Sequence, residues 1–246
     1  MYNEIFIDAC VIGDLNKVKK LIHKVDINYQ NYFGYTGLLS ACQNGRYDVA
    51  KFLIENNANI NHVNKYNNNA LLLACINEYE NIINLLILNN ININHINDGY
   101  SCFLLVCMLG YDKSVQLLIN KNINIEQQTH YGETGLMLAS HKGHIKIVEL
   151  LLKNKANVNH LNIYECNSLI MALRNNHYDI AKMLIFYNIK YLEHTENNSI
   201  RNNIDFINNY ITSKEYITKI SEIKSSNIFS IIVLLCDDYY ILNNTY

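Results

Sequence analysis

Cysteine and histidine are the side chains of this 246-residue chain best suited to chemistry, with seven of the first and nine of the second. Cysteine acts as a nucleophile or soft metal ligand when it is a thiolate, and histidine as a general base or a metal ligand. Four cysteines, Cys10, Cys42, Cys75 and Cys107, recur at a near-constant interval, and so do His62, His95 and His160. A residue that recurs once per stacked helical unit lies about 8–10 Å from its column-mates. A disulfide needs Cα atoms within about 7 Å, and ligand sulfurs sit about 2.3 Å from a shared zinc. The cysteine column therefore reads as small buried residues between stacked helices, and the histidine column as a turn feature rather than a zinc site. His141 and His144 straddle Gly143, and Asp237-Asp238 has no partner histidine in view. Neither group completes a nucleophile–base pair or a ligand set, and no phosphate-binding glycine loop is present. The expectation is a chain with no catalytic, cofactor or metal site, and so not an enzyme.

The elements that would position these residues follow a period. Thr36-Gly37-Leu38-Leu39-Ser40-Ala41-Cys42 returns as Asn69-Ala70-Leu71-Leu72-Leu73-Ala74-Cys75, Ser101-Cys102-Phe103-Leu104-Leu105-Val106-Cys107, Thr134-Gly135-Leu136-Met137-Leu138-Ala139-Ser140 and Asn167-Ser168-Leu169-Ile170-Met171-Ala172-Leu173. The steps are 33, 32, 33 and 33 residues, and Glu4 to Cys10 is an irregular earlier copy. Apolar pairs follow each copy, as at Val49-Ala50 and Leu53-Ile54 or Ile147-Val148 and Leu151-Leu152. That spacing marks a second helix with one buried face. Gly45, Gly110 and Gly143 lie in the turn between the two helices. Thr36, Asn69, Ser101, Thr134 and Asn167 are good N-caps, because their side-chain oxygens can accept an orphan backbone N–H. Asn57, Asn90, Asn122, Lys155 and Asn188 stand where the second helices should stop, and asparagine is the best substitute for glycine at a left-handed stop. The pieces Asn59–His62, Asn92–His95 and Asn157–His160 read as short, polar and strand-like.

Residues 129–161 resemble an ankyrin repeat, through Gly132-x-Thr134-x-Leu136, Leu138-Ala139, Gly143-His144, Ile147-Val148 and Ala156-Asn157-Val158-Asn159. The resemblance implies an all-α solenoid of helix–turn–helix units joined by β-turn loops. Its units would be a degenerate capping copy at 1–30, repeats at 31–63, 64–96, 97–128, 129–161 and 162–192, and a tail or cap at 193–246. Two family features are absent. The helix-starting proline is replaced by Gly37, Ala70, Cys102, Gly135 and Ser168, and the signature histidine by Leu39, Leu72, Leu104, Met137 and Ile170. The composition and the tail look like those of ankyrin proteins from large DNA viruses and protozoa with AT-rich genomes.

Composition removes several function classes. There are 20 basic and 22 acidic residues, which gives no reason to expect a nucleic-acid or anionic-membrane partner. No apolar run approaches the 18–20 residues or so of a membrane span, and the N-terminus lacks a signal-peptide pattern. An odd cysteine count in a soluble intracellular protein, cytoplasmic or nuclear, does not suggest a disulfide framework. The 41 asparagines and absent prolines could suggest disorder, but 50% hydrophobic residues can build a core.

One feature points to a partner. The turn tips carry Tyr32, Phe33, Tyr35, Tyr66, Tyr100, Tyr131 and Tyr164, and the outward face of the first helices carries Gln43, Asn44, Asn77, His141, Lys142 and Arg174. In ankyrin arrays such positions line a concave groove, so the resemblance implies a monomeric module that binds another protein there. Aromatic residues suit interface hot spots, since they bury much area at little entropy cost. The same tyrosines could instead stack on one another, or simply reflect a chain with 19 of them. The alternative function is an adaptor whose tail recruits host machinery such as a ubiquitin ligase, although the tail lacks the Leu-Pro start of an F-box-like segment.

Overall fold

The computed structural model describes residues 2–193. Helices come in pairs. The first pair is α1 (Tyr2–Ile12) with α2 (Leu15–Leu21), the latter extended by a 3-10 turn at Ile22–Lys24. Then follow α3 (Gly37–Gln43) with α4 (Tyr47–Glu55), α5 (Ala70–Ile76) with α6 (Glu80–Leu88), and α7 (Cys102–Leu109) with α8 (Asp112–Asn120). The last pairs are α9 (Gly135–Lys142) with α10 (Ile145–Lys153), and α11 (Ser168–Arg174) with α12 (Tyr178–Glu193).

Local chemistry explains the boundaries. The side chains of Thr36, Asn69, Ser101, Thr134 and Asn167 each accept the backbone N–H three residues on, which starts α3, α5, α7, α9 and α11. Such a cap stabilises a helix by about 1 kcal/mol. The second helices stop at left-handed residues, Asn57 (φ 63°), Asn90 (φ 61°), Asn122 (φ 58°) and Lys155 (φ 64°). Asn188 departs from the expectation: α12 runs through it to Glu193. The residues after it, Ile189-Lys190-Tyr191-Leu192-Glu193, contain no asparagine like Asn59, Asn92, Asn124 and Asn157, which follow the stops of the other units.

Packing turns the pairs into a stack. Each first helix lies on the next along the series α1, α3, α5, α7, α9 and α11, and the even-numbered helices form a second row. The inner first helices, α3, α5, α7 and α9, are buried over most of their length. In α7, Cys102 through Cys107 are all buried, with Phe103 fully enclosed. The second helices bury one face only, as Val49, Ala50 and Leu53 do in α4. One core runs from Phe6 to Leu184. Truncating Phe103 to alanine would cost about 3–5 kcal/mol, because the rigid stack cannot collapse into the space left.

One expectation about the loops changes. The Asn-x-Asn segments before each loop are turns, not strands: Asn59, Asn92 and Asn157 each accept, through Oδ1, the N–H two residues on. A side-chain bond of this kind competes with ladder pairing and bends the chain instead. The described strand pair is elsewhere, a hairpin of β1 (Ile96–Asn97) and β2 (Tyr100–Ser101). The expectations for the tail, including the adaptor segment and Asp237-Asp238, lie outside the described residues.

Candidate protein-binding surface

Four loops share one construction. Asn31, Asn64 and Asn162 each accept two backbone N–H groups through Oδ1, from residues two and four further on. Thr129 does the same through its hydroxyl. Each loop then closes through a left-handed third residue: Gly34, Asn67, Gly132 or Glu165. The residue at the centre of each three-residue loop projects outward, and those residues are Phe33, Tyr66, Tyr131 and Tyr164. All four are exposed, and neighbouring Tyr32 is 80% exposed.

The loop of the third repeat is one residue shorter. Asn97 pairs with Tyr100 across a two-residue turn, Asp98-Gly99, in which both residues have positive φ (47° and 75°). This is the tight turn that Asp-Gly favours. It accounts for the single 32-residue step in the repeat and leaves no central position for an aromatic ring. Tyr100 and Tyr35 are therefore not tip residues. Both stand one position before an N-cap, half-buried, with their rings packed on the core.

The tip rings stack in two separate groups. Phe33 and Tyr66 lie 6.3 Å apart between centroids at 22°, and Tyr32 meets Phe33 edge-on at 5.2 Å. Lys65 Nζ sits 4.5 Å from the Tyr32 centroid, a cation–π contact. Tyr131 and Tyr164 lie 6.1 Å apart at 26°. Backbone bonds hold each pair: Lys65 N–H donates to the Phe33 carbonyl and Ile163 N–H to the Tyr131 carbonyl. Between the groups, the Asn97 side chain donates to the Tyr66 carbonyl and to Asn68 Oδ1, both at 3.0 Å. The stacking expected as one reading is thus present, and the stacked rings remain open to solvent.

The first-helix face is less polar than the sequence reading suggested. Asn77, Lys142 and Arg174 are exposed, and Gln43, Asn44 and His141 are half-buried. Asn44 and Asn77 fold back to donate to carbonyls of their own helices. His141 Nδ1 meets Asn175 at 3.1 Å, and Arg174 Nη1 lies 2.9 Å from Cys166 Sγ. Sequence reasoning missed Ile76, 57% exposed, and half-buried Met108 and Leu109. Their signal was positional, since they stand at the same offsets from their caps as Gln43 and Asn44.

The histidine columns have structural tasks. His62, His95 and His160 each donate from Nε2 to a carbonyl at the left-handed corner of the preceding loop, at 2.9 Å. His144 bonds the Met108 carbonyl in the same way, with its ring over Gly110, where a Cβ would stand 2.7 Å away. Burial pushes the Cys10 thiol up to about 12 and raises Cys42, Cys75 and Cys107 as well, which keeps all four neutral near pH 7. Among the described residues no three His, Cys, Asp or Glu side chains gather as metal ligands, and no helix is long and apolar enough to cross a membrane.

Comparison with known proteins agrees with this geometry. The human ASB11 ankyrin repeat domain matches with a TM-score of 0.64 and 25% identity, over 74% of this chain and 82% of that one. A chain from the complex of the Bdellovibrio bacteriovorus predatory endopeptidase Bd0816 with the immunity protein Bd3460 matches with a TM-score of 0.65 and 27% identity, over 73% and 95% respectively. No curated protein sequence matches. The family model for ankyrin repeats, in three copies, matches residues 6–97 and 103–195. Capped helix pairs in two rows, loops on one rim and a family match over most of the length lead to one conclusion: the chain belongs to the ankyrin-repeat family.

Proposed function

We propose that this array is a non-catalytic module that binds a partner protein along the loop rim and the exposed face of the first helices. The observation that carries the reading is the pair of solvent-exposed aromatic stacks held on hydrogen-bonded loops. Rings already ordered in the free protein lose little entropy on binding, so their buried area converts efficiently into affinity. Tyr32, Phe33 and Tyr66 form one anchor site, and Tyr131 and Tyr164 the other. Gln43, Asn77, His141, Lys142 and Arg174 contribute the polar floor between and beside them, with Tyr35 and Tyr100 beneath. The ankyrin family, whose members typically bind proteins, supports the same reading.

The gap at Asp98-Gly99 refines the partner. Tyr66 and Tyr131 are two repeats apart, about 20 Å at the usual helix-packing distance. An extended segment covers that span in about six residues. The partner is thus a chain presenting two apolar anchors about six residues apart when extended.

The test is a titration with a partner identified by affinity purification and mass spectrometry from the native cell. Replacing Tyr66 and Tyr131 together by alanine should weaken binding about 100-fold while the helical circular dichroism stays unchanged. Unchanged affinity in the folded double variant would remove the rim from the interface.

A further inference from the structure

A covalent possibility lies inside the stack and is independent of the binding surface. The first residue of each first helix is pressed against the cysteine-column position of the preceding one. At Gly37 an added Cβ would stand 3.0 Å from Cys10 Sγ, and at Gly135 it would stand 3.0 Å from Cys107 Sγ. At the joint between α5 and α7 both positions are cysteine. Cys75 Sγ and Cys102 Sγ are 3.1 Å apart, and both residues are 1% exposed. A disulfide requires about 2.05 Å, so roughly 1 Å of closure separates the thiol pair from the bond. Cys102 stands outside the column of Cys42, Cys75 and Cys107, so the repeat spacing alone does not reveal this pair.

We propose that Cys75 and Cys102 form an oxidisable pair that closes, under a peroxide, into a disulfide across the joint between the second and third repeats. One thiol loses its proton and attacks the peroxide, giving a sulfenic acid and one water. The second sulfur displaces that hydroxyl as a second water, forming the S–S bond. In total two thiols are oxidised and one hydrogen peroxide is reduced to two waters. Both sulfurs are enclosed, so reagent reaches them when the joint opens. Local opening is natural in an array whose units touch only their neighbours. Burial raises the Cys75 thiol, so closure accelerates as pH rises above neutral. The bond ties a 27-residue segment and locks the joint beside the gap in the aromatic rim. Joints with a single sulfur, such as Cys10 with Gly37 and Cys107 with Gly135, have no such option.

The experiment treats the full chain with hydrogen peroxide under native conditions, alkylates remaining thiols and maps peptides by mass spectrometry without reduction. The expected result is a Cys75–Cys102 linkage in large excess over every other pair. It should be absent from Cys102→Ala and Cys75→Ser, and retained in Cys42→Ser. Alanine at the first position and serine in the cysteine column already occur in this array, at Ala70 and Ser140, so both pair variants keep residues the fold accepts. The oxidised protein should melt about 5 °C or more higher, and a dithiol should reverse the shift. A folded chain that gives no 75–102 linkage, a scramble of pairs in similar yield, or a linkage formed only after complete unfolding in urea would each overturn the proposal.

Discussion

The third loop and the four around it differ by one residue and behave as two kinds of surface. In the four, an Asn or Thr side chain gathers two backbone N–H groups, and the residue at the centre of the loop is thrown outward. In the third, the Asp98-Gly99 turn closes directly on the Asn97–Tyr100 pair. Both kinds carry a tyrosine, Tyr66 in the second loop and Tyr100 in the third. Tyr66 is exposed, while Tyr100 packs on the core. Position in the loop, not residue type, decides which ring meets solvent. Tyr35, in one of the longer loops and likewise one residue before its N-cap, packs on the core as Tyr100 does. The shorter loop lacks the central position that turns a ring outward.

The sharpest way to break this contrast is at Gly99. Valine there would carry a β-branched side chain at φ 75° and place its Cβ 2.5 Å from the His130 ring. A loss of about 2–3 kcal/mol is expected, read as a fall of roughly 5–10 °C in melting temperature. The corresponding corner of the fifth loop, Glu165 at φ 56°, should respond with the opposite sign, as described last.

A smaller effect separates the asparagines. Asn64→Ala removes the acceptor for the Tyr66 and Asn68 N–H groups in a buried site, at a cost of about 2 kcal/mol. Asn97→Ala removes two donated bonds and a longer one accepted from Asn67 Nδ2, all at a half-buried side chain, and should cost about 1 kcal/mol. Urea midpoints of the two variants give the order, and an equal cost would mean the two loops are built alike after all.

Replacing residues 97–100 with the five-residue sequence of 64–68 should convert the third loop to the longer kind. The new ring would fall between Tyr66 and Tyr131 and make the rim continuous. Stability should change by less than about 1 kcal/mol, and a partner with two separated anchors should bind less selectively. The smallest effect is expected from Glu165→Gly, which relieves a left-handed non-glycine residue and should stabilise the chain by about 0.5–1 kcal/mol in a denaturant titration.

Much of the fold was legible in the sequence because the rules involved are local. A cap bond reaches three residues, so Thr36, Asn69, Ser101, Thr134 and Asn167 could be assigned from type and position. Left-handed stops at Asn57, Asn90 and Asn122 followed in the same way. The Asn-x-Asn segments were misread because alternating polar and apolar residues suit a strand and an Asx turn equally. The side-chain bond that favours the turn is decided by geometry. In the candidate surface, the aromatic residues near the loops were legible, but not which of them face outward, since Tyr35 and Tyr100 pack on the core. Nor was their division into two groups, since a step of 32 rather than 33 does not say where the missing residue was taken from.

By itself, the sequence determined the repeat, the helix boundaries and the burial of the cysteine column, because each rests on interactions within a few residues or on periodicity. Only the tertiary structure decided which tyrosines face water, which rings stack, and that Cys75 meets Cys102. Those contacts join residues about 27 to 33 positions apart. Their distances depend on how one helix pair seats on the next, a relation set by side-chain volume at the joint rather than by any local preference of the chain.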